Sequence, residues 1–351
     1  MNNYKSVQVE FHILQSFPVT CLNRDDVGSP KTAIVGGVTR ARVSSQSWKR
    51  QVRMSLADFD IKLAVRTKYV SELIQKEIIA LGGGEEHAKT CGDIIEKALT
   101  KDALHFFSET EAKALAAYAE QKGFLLDDKD AKEIIKAHKE ASISGFKALD
   151  GLDIALFGRM VAQGPDLNLE GASVFSHAIS THKANTEVEF FTALDDVKNE
   201  YDAEGGAGHM GTLEFNSATY YRYVALDIGQ LVETLGGDEH LDLAIAAFIK
   251  ALYIAVPIAR QKTQSGSNLW DYARVYVRRG QRLQASFDNP VRSKGEGYLK
   301  PSIEALESFL DKKEKLSGSL FGKIDEFTWG IDEEFSIDDL ISSVVNSVKI
   351  K

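Results

Sequence analysis

The hydrophobic spacing of this chain switches repeatedly between a period of two and a period near four, which limits the architectures open to it. Residues 7–15 alternate, with Val7, Val9, Phe11 and Ile13 on one side and Gln8, Glu10 and His12 on the other. That predicts a half-buried strand, in which His12 is a structural sheet residue. Residues 38–43 form a short strand-like piece. Trp48, Val52 and Leu56 then fall four apart and predict a helix facing a core, with Ser44 or Ser45 as its N-cap. Strand character returns at 173–182, 187–194, 219–227 and 271–279, and 238–255 reads as a helix with a buried face.

Stripped of insertions, the order is strand, helix, strand, strand, helix, strand. This is an α+β pattern, the ferredoxin-like arrangement shared with RNA-recognition-motif (RRM) domains, and it does not specify a function. Residues 57–165 carry four segments of helical spacing (69–81, 93–107, 109–121 and 129–141), punctuated by Gly82-Gly83-Gly84 and Gly123. They read as a helical insertion. Residues 195–211, DDVKNEYDAEGGAGHMG, break the pattern and predict an extended hairpin or flexible arm with Met210 at its tip. Residues 301–351 open with a helix-like stretch at Pro301-Ser302. They end in the acidic 332–339 segment and a short amphipathic helix.

Charge is distributed unevenly. The chain carries a net −9, yet residues 21–53 hold seven basic residues against Asp25 and Asp26. A basic island in an acidic protein predicts a local anion site. Gly28, Pro30, Gly36 and Gly37 mark looping chain; Arg40 and Arg42 fall on one side of the pleat; Gln46, Lys49, Arg50 and Arg53 share the outer helix face. A helix N-terminus, serines and forked cations thus converge where a phosphate chain would lie. The plainer reading is a solvated basic face. Further on, residues 166–257 hold four basic and fifteen acidic residues and 258–300 hold nine and three, a segregation suited to head-to-tail stacking of copies.

Other chemistry is poorly supported. Asp25-Asp26 could hold a metal for phosphodiester cleavage, but no third carboxylate is tied to them by spacing, and a loop-holding role with Arg40 or Arg42 fits as well. Asp195-Asp196 suits a turn or cap. His177 and His182, five apart in a strand, face opposite ways. Gly36-Gly37 lacks a following Lys-Ser/Thr, and no catalytic triad or cofactor motif is present. Tyr220, Tyr221 and Tyr223 at strand spacing predict core more than base stacking. The aromatic stacking signature of RRM domains is missing, so RNA binding would use loops and the first helix. Met160 suits core or contact equally. Cys21 and Cys91 show neither metal nor redox spacing, which fits a reducing cytoplasm. The first residues lack signal-peptide character. The apolar run 243–259 is broken by Lys250 and Pro257 and reads as a buried helix, so no membrane association is expected.

The literal strings go further. Cys21-Leu-Asn-Arg-Asp-Asp26, Pro30-Lys31, Gly36-Gly37, Arg40-x-Arg42 and Ser44-Ser-Gln-Ser-x-Lys-Arg50 together resemble the CasC family, the backbone subunit of the type I-E CRISPR surveillance complex, Cascade. The resemblance continues through Leu156-Phe-Gly-Arg-Met160, His177-Ala-Ile-Ser180, residues 187–196, Gly211-Thr-x-Glu-Phe215, Tyr221-Arg-Tyr223 and Gln261-x-Thr263. Trp48 departs from it, standing where an aliphatic residue is expected. The resemblance implies a hand-like subunit: an RRM-like palm (1–56 with 166–300), helical fingers (57–165) and a thumb (195–211). The C-terminal segment 301–351 is expected, from its own helical pattern, to pack on the palm or a neighbour. It implies copies stacked along a CRISPR RNA, pairing with target DNA through the guide, and other subunits of the CasA, CasB, CasD and CasE types. Arg24, Lys31, Ser44, Gln46, Lys49 and Arg53 match the positions that hold the guide backbone, with Met160 and Met210 as wedge or thumb contacts. Arg40, Arg42 and Arg50 join them on charge and spacing.

Overall fold

A computed structural model describes residues 3–100, 104–161, 167–193, 209–293 and 295–349. The chain opens with β1 (Val7–Thr20), β2 (Thr32–Val35), β3 (Val38–Val43) and α1 (Ser45–Ser55). A mainly helical stretch follows: β4 (Val65–Thr67), α2 (Val70–Ala80), α3 (Glu85–Leu99), β5 (His105–Phe107), α4 (Glu109–Gln121), α5 (Ala131–Lys147) and α6 (Leu152–Phe157). Next come β6 (Ser173–Phe175), β7 (Ala178–Ser180), β8 (Glu187–Ala193), β9 (His209–Asp227), α7 (Ile228–Leu235), α8 (Leu241–Ile254), α9 (Gln261–Gln264) and β10 (Tyr272–Arg279). The chain closes with α10 (Leu299–Ser317), β11 (Lys323–Trp329) and α11 (Ile337–Lys349).

The molecule is a mixed α/β structure built on an antiparallel sheet. Its strand order is β11-β10-β1-β9-β7-β3-β2, and β6 and β8 also pair with β9. β1 is an inner strand: Phe11 lies opposite Val224 of β9 on one side and Val275 of β10 on the other. One sheet face, with Val7, Val9, Phe11 and Ile13, packs on Trp48 and Val52 of α1, on α8 and on α11. A second hydrophobic cluster, centred on Ile74, Ile95, Leu115 and Ile134, belongs to α2–α5. Among the described residues, no helix is long and apolar enough to cross a membrane.

The prediction of a half-buried β1 is corrected. Glu10 and His12 are as buried as Phe11, because α10 and the 281–293 segment cover the other sheet face. There Leu14, Tyr221, Tyr223, Tyr272 and Tyr276 pack under Leu306, Leu310 and Phe321. His12 Nδ1 lies 2.9 Å from the Tyr221 hydroxyl, and burial pushes its pKa down to about 3. The tyrosines are core residues, and their rings are not open to bases. The arm is corrected at one end: Met210 is paired with Thr192 in the β8–β9 ribbon and does not form a tip. Residues 194–208, with Asp195-Asp196 and the arm glycines, lie outside the described residues.

Candidate nucleic-acid interface

The basic island folds into one connected surface. After β1 the chain turns through 21–31, where Asp25 Oδ1 accepts from the backbone N–H groups of Val27 (3.0 Å) and Ser29 (2.9 Å). This local turn uses the Asp25 carboxylate, so its loop-holding role is met within the turn and not through Arg40 or Arg42. Arg24 bridges to Pro30, Lys31 N donates to Asn23 O (2.9 Å), and Arg42 N donates to Lys31 O (2.8 Å). Asn23 Oδ1 accepts from Ser44 N at 2.9 Å and ties the turn to the start of α1. Hydrogen bonds therefore link the loop, β3 and the helix N-terminus.

Helix α1 starts where the sequence predicts. Ser44 is extended and its hydroxyl accepts from Ser47 N at 3.3 Å. The first turn carries no acidic residue, so no carboxylate of the helix itself offsets its positive end. Gln46 and Arg50 are exposed, and Lys49 is half-buried with Nζ 5.8 Å from the centre of the Phe175 ring. Burial lowers the Lys49 pKa. Among the described residues, no carboxylate lies within ion-pair distance of Arg24, Lys31, Arg42, Lys49 or Arg50. Cations without carboxylate partners at the start of a helix have the chemistry that suits phosphate oxygens.

His177, from the β6–β7 connection, lies against this surface; its spacing from His182 speaks against a joint metal site and does not reveal this position. Its Nδ1 lies 3.4 Å from Ser45 N and 3.4 Å from Arg42 Nη1. Burial, with help from Arg42 and Lys31, lowers its pKa, so the ring accepts from these donors as a neutral imidazole. Asn23 was missed for its role as a clasp, although it sits in the quoted Cys21–Asp26 string. Neither was legible from spacing, because their partners lie 21 and 132 residues away.

Two predicted ligands are corrected. Arg40 is fully buried. It donates to Ser180 O (2.7 Å) and Phe287 O (2.8 Å) and pins the 281–293 segment to the sheet. Gly36 stands in the same contact, with φ +59 and no room for a Cβ against Asp288 O. Arg53 turns away from the outer face. Its Nε is 2.7 Å from Asp153 Oδ2, its Nη2 donates to Ala64 O, and its guanidinium stacks 4.7 Å from the Phe106 ring centre. Both arginines are held inside the fold and are not available to an outside phosphate. Met160 (81% exposed) follows α6 and Met210 (72% exposed) lies on the β8–β9 ribbon, so the core reading of Met160 is excluded. On that ribbon Val188, Phe190 and Met210 share one exposed apolar face.

A chain of a solved "CRISPR RNA-guided surveillance complex, pre-nicking" is similar over 97% of this chain and 100% of its own, with TM-score 0.81 and 26% identity. A chain of a "CRISPR RNA-guided surveillance complex" is similar in fold over 97% and 99%, with TM-score 0.63 and 24% identity. No curated protein matches by sequence. The family model described as CT1975-like protein matches residues 9–334. The chain belongs to the CT1975-like family.

Proposed function

We propose that this chain is the guide-binding backbone subunit of a Cascade-type CRISPR surveillance complex, of the type I-E CasC kind, and catalyses no reaction itself. Copies line one CRISPR RNA in the cytoplasm and present it for pairing with target DNA, and CasA, CasB, CasD and CasE types complete the assembly. The observation that carries this reading is the unpaired basic face, in a chain whose fold follows a surveillance-complex chain over nearly its full length. Lys31, Arg42, Lys49, Arg50 and Arg24, with Ser44 and Gln46, hold phosphates and sugars. Such contacts carry no sequence information, which suits a subunit that must accept any guide, and base pairing then reads the target.

The proposed palm is ferredoxin-like. With β1, α1, β6, β9, α8 and β10 as its six elements, the sheet order is fourth, first, third, second strand, and α1 packs against α8. Residues 57–165 serve as fingers and 195–211 as thumb. Met160 and the Met210 face of the ribbon contact bases or neighbouring copies.

Co-expression with the genomic neighbours and a CRISPR array tests the reading. One discrete guide-sized RNA in a large complex is expected; a monomer with no RNA, or with mixed cellular RNA, overturns it. Incubating that complex with magnesium tests the absence of catalysis. The bound RNA should stay intact, and cutting lost in Asp26→Ala would overturn that part.

A further inference from the structure

Beside the 21–31 turn lies a second segment, residues 257–268, which links α8 to β10 through α9. Two anchors fix it to the end of β1 from which the basic turn departs. Gly266 sits on Thr20, where an added Cβ would come within 2.6 Å of the Thr20 methyl. Asn268 O accepts from Gln15 Nε2 at 2.6 Å. An open cleft runs between the two, lined by Arg24, Asp25, Asp26 and Gly28 on one side and Ala259 on the other. The Cys21 thiol feels both walls: burial raises its pKa, while Arg260 and Arg24 pull it down.

The segment is strained and poorly satisfied. Arg260 (φ +53) and Ser265 (φ +58) occupy the left-handed region, which non-glycine residues adopt at a cost. Arg260 O is fully used, accepting from Thr263 N (3.0 Å), Gln264 N (2.8 Å) and Thr263 Oγ1 (3.1 Å). The side chains are not. Arg260 Nε and both amide atoms of Gln264 are buried without a hydrogen-bond partner among the described residues. Lys262 is exposed and has no carboxylate within ion-pair distance among those residues. A loop serving only to connect α8 to β10 has no need of strain combined with unpaired polar ends, and buried polar atoms in folded proteins are normally paired.

We propose that residues 257–268 form the second wall of the guide groove. Arg260 and Lys262 take phosphates, and the Gln264 amide turns out to pair with a ribose 2′-hydroxyl when RNA binds. The 2′-hydroxyl both donates and accepts, as the amide does, whereas phosphate only accepts and DNA lacks the group. The proposal rests on the guide-binding reading above and extends it to a segment of otherwise unassigned role.

The test uses the full chain, with labelled single-stranded RNA and DNA of one sequence titrated at several salt concentrations. Arg260→Gly suits the left-handed backbone, and Lys262→Ala or Lys262→Glu alters an exposed residue. Arg260→Gly with Lys262→Ala should weaken RNA binding about tenfold. It should also flatten the plot of log affinity against log salt by roughly 1.4, two phosphate contacts at about 0.7 each. Lys262→Glu alone should weaken binding several-fold and keeps the test informative if the double variant folds poorly. Gln264→Ala should narrow the preference for RNA over DNA. Lys49→Ala with Arg50→Ala runs alongside. If that pair loses binding while the Arg260 and Lys262 variants keep wild-type affinity and slope, the second wall is overturned and the guide-binding face stands. If neither set changes binding, both readings fall. Equal affinity of the unaltered chain for RNA and DNA overturns the Gln264 assignment.

Discussion

Two regions of this chain hold their cations in opposite ways. In the helical region, Arg159 is buried with its Nη1 2.6 Å from Glu111 Oε1 and its Nη2 3.0 Å from Ser142 Oγ, and His138 Nε2 lies 3.3 Å from the same carboxylate oxygen. Glu111 is also the third helical residue of α4, where it accepts from Ser108 N at 2.8 Å and closes a capping box. On the basic face, Arg24 and Arg50 stand in solvent with no carboxylate in reach. Arg40 and Arg53 sit within the basic stretch of sequence but behave like Arg159. Residue type and local charge therefore do not decide what an arginine does here. Its partners in space decide it: a carboxylate, or carbonyls that hold the guanidinium in the interior, make the arginine part of the fold. An arginine left at the surface remains available to a ligand, as Arg42 does although its Nε donates to Thr32 O.

The largest expected effect breaks the buried side of this contrast. Glu111→Leu strands the Arg159 guanidinium in the core and removes half of the α4 cap. A loss of roughly 3–5 kcal/mol is expected, read as a shift of the urea midpoint at constant slope. Adding Arg159→Met should recover much of it, because two apolar side chains replace a broken pair. A loss under about 1 kcal/mol for Glu111→Leu would show that the cluster is not what holds this region.

The exposed side should respond in the converse way. Arg24→Ala, Lys49→Ala and Arg50→Ala combined should weaken RNA binding by about two decades at physiological salt and lower the salt slope by roughly 2. Folding stability should change by no more than about 0.5 kcal/mol for each surface change. Arg40→Ala should do the reverse: it should destabilise the chain and free the 281–293 segment, with the salt slope intact. If Arg40→Ala lowers the slope as the surface triple does, the division between the two kinds of arginine fails.

Acid and alkali separate two buried carboxylates. Burial pushes Glu10 up to about 7, with Arg278 only partly opposing it. Glu111 is likewise pushed up by burial, but Arg159 and His138 pull it well below the usual carboxylate range. Beside it, burial and then His138 and Arg159 push His105 down to about 3. The signs differ. A raised Glu10 stabilises below its unfolded pKa and loses that contribution as pH rises through 7. A lowered His105 stabilises above about 6.5 and loses its contribution as pH falls toward 3, and Glu111 loses its own below the ordinary carboxylate range. Glu10→Gln should therefore gain on the unaltered chain between pH 5 and 7, by up to about 1.4 kcal/mol per unit. His105→Gln should gain on it between pH 6 and 4. Urea melts across that range check both slopes, and parallel curves would refute the two environments.

The readable and unreadable parts of the sequence follow from the same distinction. Local signals held: Ser44 caps α1, Trp48, Val52 and Leu56 face the core, and His12 is structural. What failed was non-local. The spacing put Arg40 and Arg53 with the outward-facing cations and could not supply Ser180, Phe287 or Asp153, 100 or more residues away, which draw them into the fold. Alternation in β1 marked two faces but could not reveal that α10 covers the second. β11 went unread because Lys323, Asp325 and Glu326 give this edge strand a polar look, while Phe327 and Trp329 still pack on the core. β2 was read as loop for a similar reason, since its residues are largely open to solvent.

The last effect sits where the two regimes meet. Ser44 belongs to the fold through its cap and to the candidate groove through its place at the positive end of α1. Ser44→Ala removes the cap and should cost about 1 kcal/mol. Ser44→Asp keeps a good cap and adds a charge favourable to the helix dipole, so stability should stay within about 0.5 kcal/mol of the original. The same carboxylate would stand where a phosphate is proposed to lie and would pair with Lys31 or Arg42. RNA affinity should then fall several-fold while the melting curve barely moves. A cap that is equally good for folding and equally good for RNA would mean that the guide does not approach the start of α1, and the groove would have to be drawn along Lys49 and Arg50 instead.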